Sequence, residues 1–456
     1  MRVSFVFLFA ALVGATSVQA DPLDDAIVAE MKRGKVPGLG IAVVKDGKIV
    51  KEMGYGDADV ENGVRVTPQT VFQSGSVGKT FTAALVMLLA EDGKLSLDDP
   101  ISRHLAKTPR AWQKITIRHL LTHTSGLGDP YAKLDMRKDY TDEELIALEA
   151  AIPVLSAPGE KWSYSNMGYH LLGFICNKVG GKFYGDQLRE RIFAPLGMST
   201  RVISESDIIP HRARGYERID GVLKNQQWVA PRLNTTADGS LYLTARDLAL
   251  WDLALYDDKI LNARVREASW TPAKLNDGKT AQYGLGWQLD SRNGHRVIGH
   301  GGAWQGFKAD FVRYVDDKLT VVVLANSAAA RPNRFADLIA AHYEPALARK
   351  LAVAIAETEP AVNTRVRELV EQLAGGVLPA GLDASVNKQF SPAFLKMLAS
   401  EGREWGAVQS VEALARETEG EKRRYRYRVN YADTAVLVNI GFGKDGVVDV
   451  LKLRLE

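Results

Sequence analysis

The chain has 456 residues, 46% apolar and 25% charged, with a formal net charge of +3. That length exceeds one ordinary domain and suits a large domain plus a small one, each able to bury a core. The near-neutral balance, with no basic block interleaved with aromatics, excludes nucleic acid as an expected partner and describes a soluble globular protein.

At the N-terminus, Arg2 precedes an apolar run from Val3 to Val13, and Val18-Gln19-Ala20 precedes Asp21. This reads as a secretory signal over residues 1–20, cleaved after Ala20. The run is too short for a spanning helix, which needs about 20 apolar residues. No other segment has that character, so the mature protein is expected in the periplasm or secreted, without a membrane span. Cys176 is the one cysteine, which rules out an intrachain disulfide; it lies in an apolar helical run and reads as packing.

Helical spacing covers Leu23 to Lys35. Gly40 to Val44 and Ile49 to Met53 read as strands joined across Asp46-Gly47, a dipeptide suited to a tight hairpin. Next comes Ser74-Gly75-Ser76-Val77-Gly78-Lys79, followed by a stripe of Phe81, Ala84, Leu85, Leu88 and Leu89 that predicts a helix ending at Gly93. Helical patterns, turns and Gly-rich loops fill residues 95–289, with Thr244-Ala245-Arg246-Asp247 as a helix start. Strand patterns return at Val297 to His300, Phe307 to Tyr314 and Leu319 to Asn326, and a helix is expected over residues 333–355. Strands at both ends of a helical middle predict an α/β domain over residues 21–356. In it, an antiparallel sheet built from distant pieces is flanked by helices, with an inserted all-helical subdomain. A charged, Pro-containing linker is expected over Glu357 to Asn363. Residues 357–456 read as a small α+β domain, with a helix near Val366 to Leu373 and strands at Tyr425 to Tyr431, Ala435 to Phe442 and Val447 to Leu455 around a Lys444-Asp445-Gly446 turn.

Ser76 and Lys79 are three apart at the start of the apolar helix pattern, so both lie on one face and the amine can reach the hydroxyl. Read alone, the pair is also consistent with a plain helix cap at Ser76. A second match, Ser385-Val386-Asn387-Lys388, lies in a polar stretch with no long apolar helix behind it. Tyr164-Ser165-Asn166 is the only Tyr-x-Asn in the chain, and His300-Gly301-Gly302 the only His-x-Gly. Taken separately, Tyr164 reads as a half-buried aromatic and Asn166 as a turn residue. In order and spacing, the three elements resemble the active site of the penicillin-recognising serine hydrolases, the class C β-lactamase and DD-peptidase superfamily. Leu120-Leu121-Thr122-His123-Thr124-Ser125-Gly126-Leu127, Thr244 to Leu248, and Tyr283-Gly284-Leu285-Gly286-Trp287 look like further landmarks, and the resemblance covers about residues 22–350.

The resemblance implies the β-lactamase/transpeptidase-like fold and hydrolysis through an acyl-enzyme on Ser76. Lys79 would be the base, and Tyr164 a second proton relay, with the division between them open. Asn166 would hydrogen-bond the substrate acyl chain or Lys79. Gly302 would let the backbone approach the substrate, and the Ala303 N–H, with that of Ser76, would form an oxyanion hole. Trp304 would wall the pocket or pack the strand. His300 stands where β-lactamases of the superfamily carry the Lys of Lys-Thr-Gly, and Gly301 removes the Thr hydroxyl. Both changes weaken recognition of a substrate carboxylate. The expected substrates are therefore small-molecule or peptide esters or amides, as for an esterase or D-amino-acid peptidase or amidase. The alternatives are a DD-carboxypeptidase, a weak β-lactamase, or a slowly acylated penicillin-binding sensor. No cofactor and no metal are expected. His119 and His123 are four apart, but Leu120 stands where the metalloprotease motif needs Glu.

Overall fold

The computed structural model describes residues 21–456 apart from Ala132, residues 203–206, Asn293, Lys350, Glu421, Asp433 and Lys444. The expected signal segment, and Lys444 of the expected turn, lie outside the described residues. The main sheet has seven antiparallel strands. Their spatial order is Gln288–Arg292, His295–Trp304, Phe307–Tyr314, Leu319–Ala325, Gly38–Lys45, Lys48–Asp59 and Val64–Arg65. The early and late strands meet where Ile41 pairs with Val323. The Asp46-Gly47 hairpin holds φ of 49° and 74°, the left-handed pair a two-residue turn requires.

The central strand Gly38–Lys45 is buried on both faces, and its alternation assigns each residue to one of two cores. Ile41 and Val43 pack with Ile27, Val321, Phe335 and Ile339, beneath helices Pro22–Arg33 and Pro332–Tyr343. Ala42 and Val44 face Phe81, Leu85 and Trp251, from helices Lys79–Glu91 and Ala245–Ala254. The second of these helices starts as expected: Thr244 and Asp247 form a reciprocal capping box. The helix Asn166–Gly180 packs on Lys79–Glu91 within the helical middle.

Two boundaries differ from expectation. The helix expected over residues 333–355 stops at Tyr343, because Glu344 precedes Pro345 and is driven to an extended conformation with φ −144° and ψ 92°. A helix also begins at Pro360, inside the expected linker, since proline suits a first helical position.

The C-terminal unit combines helices Pro360–Ala374 and Pro392–Trp405 with a four-stranded antiparallel sheet in sequence order: Ser410–Glu419, Lys422–Asn430, Ala435–Phe442 and Val448–Leu455. Val366, Leu369, Tyr427 and Val438 form its own core. The first of these strands was not evident in the sequence, where Glu412, Arg416, Glu417 and Glu419 mask its alternation. Arg334 of the large domain hydrogen-bonds the Glu456 backbone carbonyl, tying the two units together. Among the described residues, no helix is long and apolar enough to cross a membrane.

Candidate active site

Ser76 lies in a short 3-10 turn, Gly75–Gly78, that feeds the α-helix; that helix opens at Lys79, one turn later than the start at Ser76 expected from the sequence. The turn is pressed between two other pieces of backbone, strand His295–Trp304 on one side and Gly239 on the other, where a Cβ would fall 2.5 Å from the Gly75 carbonyl carbon. A Cβ on Gly302 would fall 2.0 Å from the Ser74 carbonyl and 3.2 Å from the Ser76 nitrogen. One on Gly75, whose φ is +50°, would fall 2.3 Å from the Ala303 nitrogen. Only glycine lets strand His295–Trp304 approach this closely, so the amides of Ser76 and Ala303 line one crevice.

Lys79 is fully buried in the first turn of its helix. Its Nζ lies 3.0 Å from Ser76 Oγ, 2.8 Å from Asn166 Oδ1 and 2.5 Å from the Asp238 carbonyl oxygen. Burial lowers its pKa to about 8, although the carboxylates of Asp238 and Asp129 oppose the shift. An ammonium has three protons for these three acceptors. A neutral amine keeps its donations to Asn166 and Asp238 and turns its lone pair toward the Ser76 hydroxyl.

Tyr164 completes the cluster. Its ring centroid is 5.0 Å from Lys79 Nζ, and its hydroxyl is near enough to the Ser76 side chain to be influenced by it. Burial pushes its pKa up, with the Ser76 side chain pulling the other way, so the phenol keeps its proton at neutral pH. The His123 ring stacks against it at 4.1 Å, and His123 Nδ1 accepts from the Ser165 N–H. Ser165 in turn caps the helix that begins at Asn166. Asn166 therefore projects from the first turn of one helix toward Lys79 on the first turn of another.

His300 is only 2% exposed. Its Nε2 lies 2.8 Å from the Tyr283 hydroxyl and its Nδ1 2.6 Å from the Gly301 carbonyl. Burial and the nearby Lys79 charge lower its pKa to about 3. The ring is thus neutral, and both nitrogens are engaged within the protein. The site gains no fixed positive charge from this position. Trp304 is half-buried: its Nε1 donates to Asn234 Oδ1 at 2.5 Å and its ring meets Tyr131 at 5.3 Å.

Several groups at the site were not singled out from the sequence. Asp238 supplies the carbonyl that holds Lys79, and its carboxylate accepts from the Tyr131 hydroxyl at 2.6 Å. His170 lies between Asp238, at 3.3 Å, and Glu149, at 2.6 Å, deep in the helical middle. Those two carboxylates raise the His170 pKa to about 10 against the opposing effect of burial. Asp129, an exposed carboxylate, accepts from Asn166 Nδ2 at 2.8 Å. The signal available was faint: Asp238 precedes a glycine, and His170 follows the Tyr-x-Asn element by one helical turn. The other candidates separate from the site. Ser385 hydrogen-bonds Asp383 on the surface of the C-terminal unit. His119 bonds Thr116 in a capping box, and buried Cys176 has its thiol raised to about 12.

Comparison with known proteins agrees with this architecture. The family model described as Beta-lactamase matches residues 23–344, and the chain belongs to that family. Its members are serine hydrolases that work through an acyl-enzyme, and this chain is one of them. A penicillin-binding protein of Bacillus subtilis (strain 168) is 32% identical over 305 residues, covering 63% of this chain and 67% of that protein. A D-aminopeptidase of Gluconobacter oxydans (strain 621H) is 26% identical over 368 residues, covering 78% of this chain and 69% of its own length. Among solved structures, D-amino acid amidase from Ochrobactrum anthropi SV3, complexed with L-phenylalanine amide, superposes with a TM-score of 0.63 at 28% identity, covering 71% of this chain and 99% of the amidase. The octameric penicillin-binding protein homologue from Pyrococcus abyssi is alike in fold over 95% of this chain and 99% of its own, with a TM-score of 0.65 at 24% identity.

Proposed function

We propose that the protein is an exported hydrolase of small esters and amides, with Ser76 as nucleophile, Lys79 as the base of acylation and Tyr164 as the acid. The observation that carries this reading is the buried Lys79 amine, 3.0 Å from Ser76 Oγ with a pKa lowered to about 8. Ser76 Oγ attacks the acyl carbon and its proton passes to Lys79. The Ser76 and Ala303 amides hold the developing oxyanion. The bond to the leaving group then breaks, and the departing amine or alkoxide takes a proton from the Tyr164 phenol, which Lys79 re-protonates. Water next attacks the acyl-serine, giving up its proton to the same pair as Ser76 is released. Asn166 holds Lys79 in place. Export rests on the signal pattern of residues 1–20.

The substrate class follows from charge. A carboxylate-bearing acyl donor needs a cation and a hydroxyl where this chain has neutral His300 and Gly301. A charge-assisted hydrogen bond contributes about 1.5–3 kcal/mol, so its loss costs roughly one to two orders of magnitude in efficiency. Neutral or amino-bearing donors are favoured, in line with the D-aminopeptidase and D-amino acid amidase among its relatives. His300 would then act by fixing Tyr283 and the strand, with Gly302, Ala303 and Trp304 facing the substrate. The penicillin-binding relative supports a second reading, slow β-lactam acylation or DD-carboxypeptidase activity, at the same serine.

The test offers mature protein a short-chain chromogenic ester, a D-amino-acid amide and a chromogenic β-lactam, following turnover and intact mass together. Ester or amide turnover should exceed β-lactam turnover, and Ser76→Ala should abolish labelling by a fluorophosphonate. Tyr164→Phe should slow release more than acylation, so that acyl-enzyme accumulates. Labelling that survives in Ser76→Ala would sink the assignment, and faster β-lactam hydrolysis would overturn the substrate class.

A further inference from the structure

Beside the acylation cluster stands one charged side chain that no step of the proposed reaction uses. Asp129 is exposed on the loop after Gly128, and two hydrogen bonds fix its carboxylate. Oδ1 accepts from the Tyr131 N–H at 3.0 Å, and Oδ2 accepts from Asn166 Nδ2 at 2.8 Å. The other end of the same Asn166 amide, Oδ1, takes the Lys79 amine at 2.8 Å. Contacts therefore run unbroken from Ser76 through Lys79 and Asn166 to Asp129. The loop also meets the strand that carries the Ala303 amide: the Tyr131 and Trp304 rings lie 5.3 Å apart, so loop and strand border one space beside Ser76. The Asp129 charge is felt at both Lys79 and Tyr164, the two groups that flank the serine.

The neighbouring carboxylates already have a cation, and Asp129 does not. Asp238 and Glu149 are buried and share His170. Asp129 has no lysine, arginine or histidine at ion-pair distance among the described residues. Burial and the Lys79 charge hold His123 and His300 neutral. Once Lys79 is the neutral amine, the form that accepts the serine proton, only Asp129 carries a charge among Ser76, Lys79, Tyr164, Asn166, His300 and Asp129. Left alone, that charge also works against the reaction, because it favours the protonated form of Lys79. A cation seated beside Asp129 cancels the pull, and a positive charge near Lys79 favours its neutral form.

We propose that Asp129 determines specificity by receiving the protonated amino group of the acyl donor, so that the preferred substrates are esters or amides of amino acids with a free amine. This rests on the reading of Ser76 as nucleophile and narrows its substrate class from neutral or amino-bearing donors to cationic ones. In such a donor the ammonium sits on the atom next to the carbon that Ser76 attacks, which keeps it among the groups around Asn166. Asp129 takes it through the lone pairs that Asn166 and Tyr131 leave free, in a charge-assisted hydrogen bond. The bound ammonium in turn offsets the hold of Asp129 on the Lys79 proton, so the right substrate helps to ready the base.

The full mature chain is offered racemic alanine methyl ester and methyl propionate, which differ only in the amine, near pH 7, where an α-amino group of pKa about 7.7–8.0 is mostly protonated. Acid release gives kcat/KM on each, and the quantity read is their ratio in wild type and in Asp129→Asn. Intrinsic differences between the esters cancel in that comparison, as does any general loss from a disturbed Asn166. Asp129→Asn should lower the ratio at least about tenfold, the equivalent of about 1.4 kcal/mol, and Asp129→Glu, which keeps the charge, should retain more of it. A ratio unchanged in Asp129→Asn, including one preserved by equal losses on both esters, would reduce Asp129 to a support for Asn166 and overturn the proposal. Failure of the underlying reading looks different: the wild type would hydrolyse neither ester, or Ser76→Ala would hydrolyse both as well as the wild type does.

Discussion

A lysine amine ordinarily titrates near 10.5 and is then almost wholly protonated at neutral pH, where it cannot accept a proton from serine. Lys79 is moved down to about 8 by losing its water, with Asp238 and Asp129 limiting the shift. The active form in the proposed mechanism is the neutral amine. Acylation efficiency should therefore rise with pH through a limb near 8 and level off above it. Burial raises the phenol of Tyr164 and lowers the imidazole of His300 to about 3, so neither of these two groups contributes a limb between pH 5 and 8. The check is single-turnover acylation of the ester from pH 5 to about 10, roughly two units beyond the Lys79 midpoint. Lys79→Ala should lose the limb and about 10²–10⁴-fold in rate. A flat profile in the wild type would remove Lys79 from the base role.

At the scale of elements, the site depends on how closely three backbones approach, which produces opposite expectations for neighbouring glycines. A Cβ on Gly302 collides with the Ser74 carbonyl, whereas one on Gly301 meets only the Ala309 carbonyl, at an ordinary 3.8 Å. Gly302→Ala should displace the Ser76 turn and lower ester efficiency by at least about tenfold, or about 1.4 kcal/mol of transition-state stabilisation. Gly301→Ala should stay near wild type in the same assay. Equal losses would mean that the crevice does not carry the chemistry.

The two helices holding Glu149 and His170 are joined by a buried ion pair that also reaches Asp238. Since the folded His170 titrates near 10 rather than 6.5, its stabilising contribution is complete below about pH 6.5 and disappears as pH rises through about 10. His170→Gln should cost about 3–5 kcal/mol at the acid end of that window. The gap to wild type should narrow toward its alkaline end in urea denaturation. A gap independent of pH would show that the imidazole is not charged in the folded protein.

Across the whole molecule, what was legible in the sequence divides along local and non-local lines. Ser76, Lys79, Tyr164 and Asn166 announce themselves by short-range spacing, and the structure gathers them around Lys79 Nζ. The sheet was legible because its inner strands are short, almost wholly apolar runs and the Asp46-Gly47 turn separates two strands of the sheet. Asp238, His170 and Glu149 were not, because no spacing links residues that meet only after the helical middle has folded. The burial of His300 was equally hidden, since it depends on a tyrosine in a different strand connection. The C-terminal unit follows the same division: its last three strands read cleanly, whereas its charged first strand did not.

Every residue named at the proposed active site precedes Gly306, while the linker belongs to the other unit. The Ile355 N–H bonds the Ala413 carbonyl, and Arg416 binds Glu357. Removing the C-terminal unit should therefore start after Ala348 rather than inside the linker, so that no orphaned segment remains. The shortened chain loses the contacts of Arg334 and Arg349 with Glu456. It should melt at a lower temperature, yet hydrolyse a small ester within about threefold of the full chain, since that factor corresponds to well under 1.4 kcal/mol. Circular dichroism and ester kinetics on the same preparation provide the check. A folded shortened chain without ester activity would mean that the C-terminal unit shapes the crevice between Ser76 and Ala303.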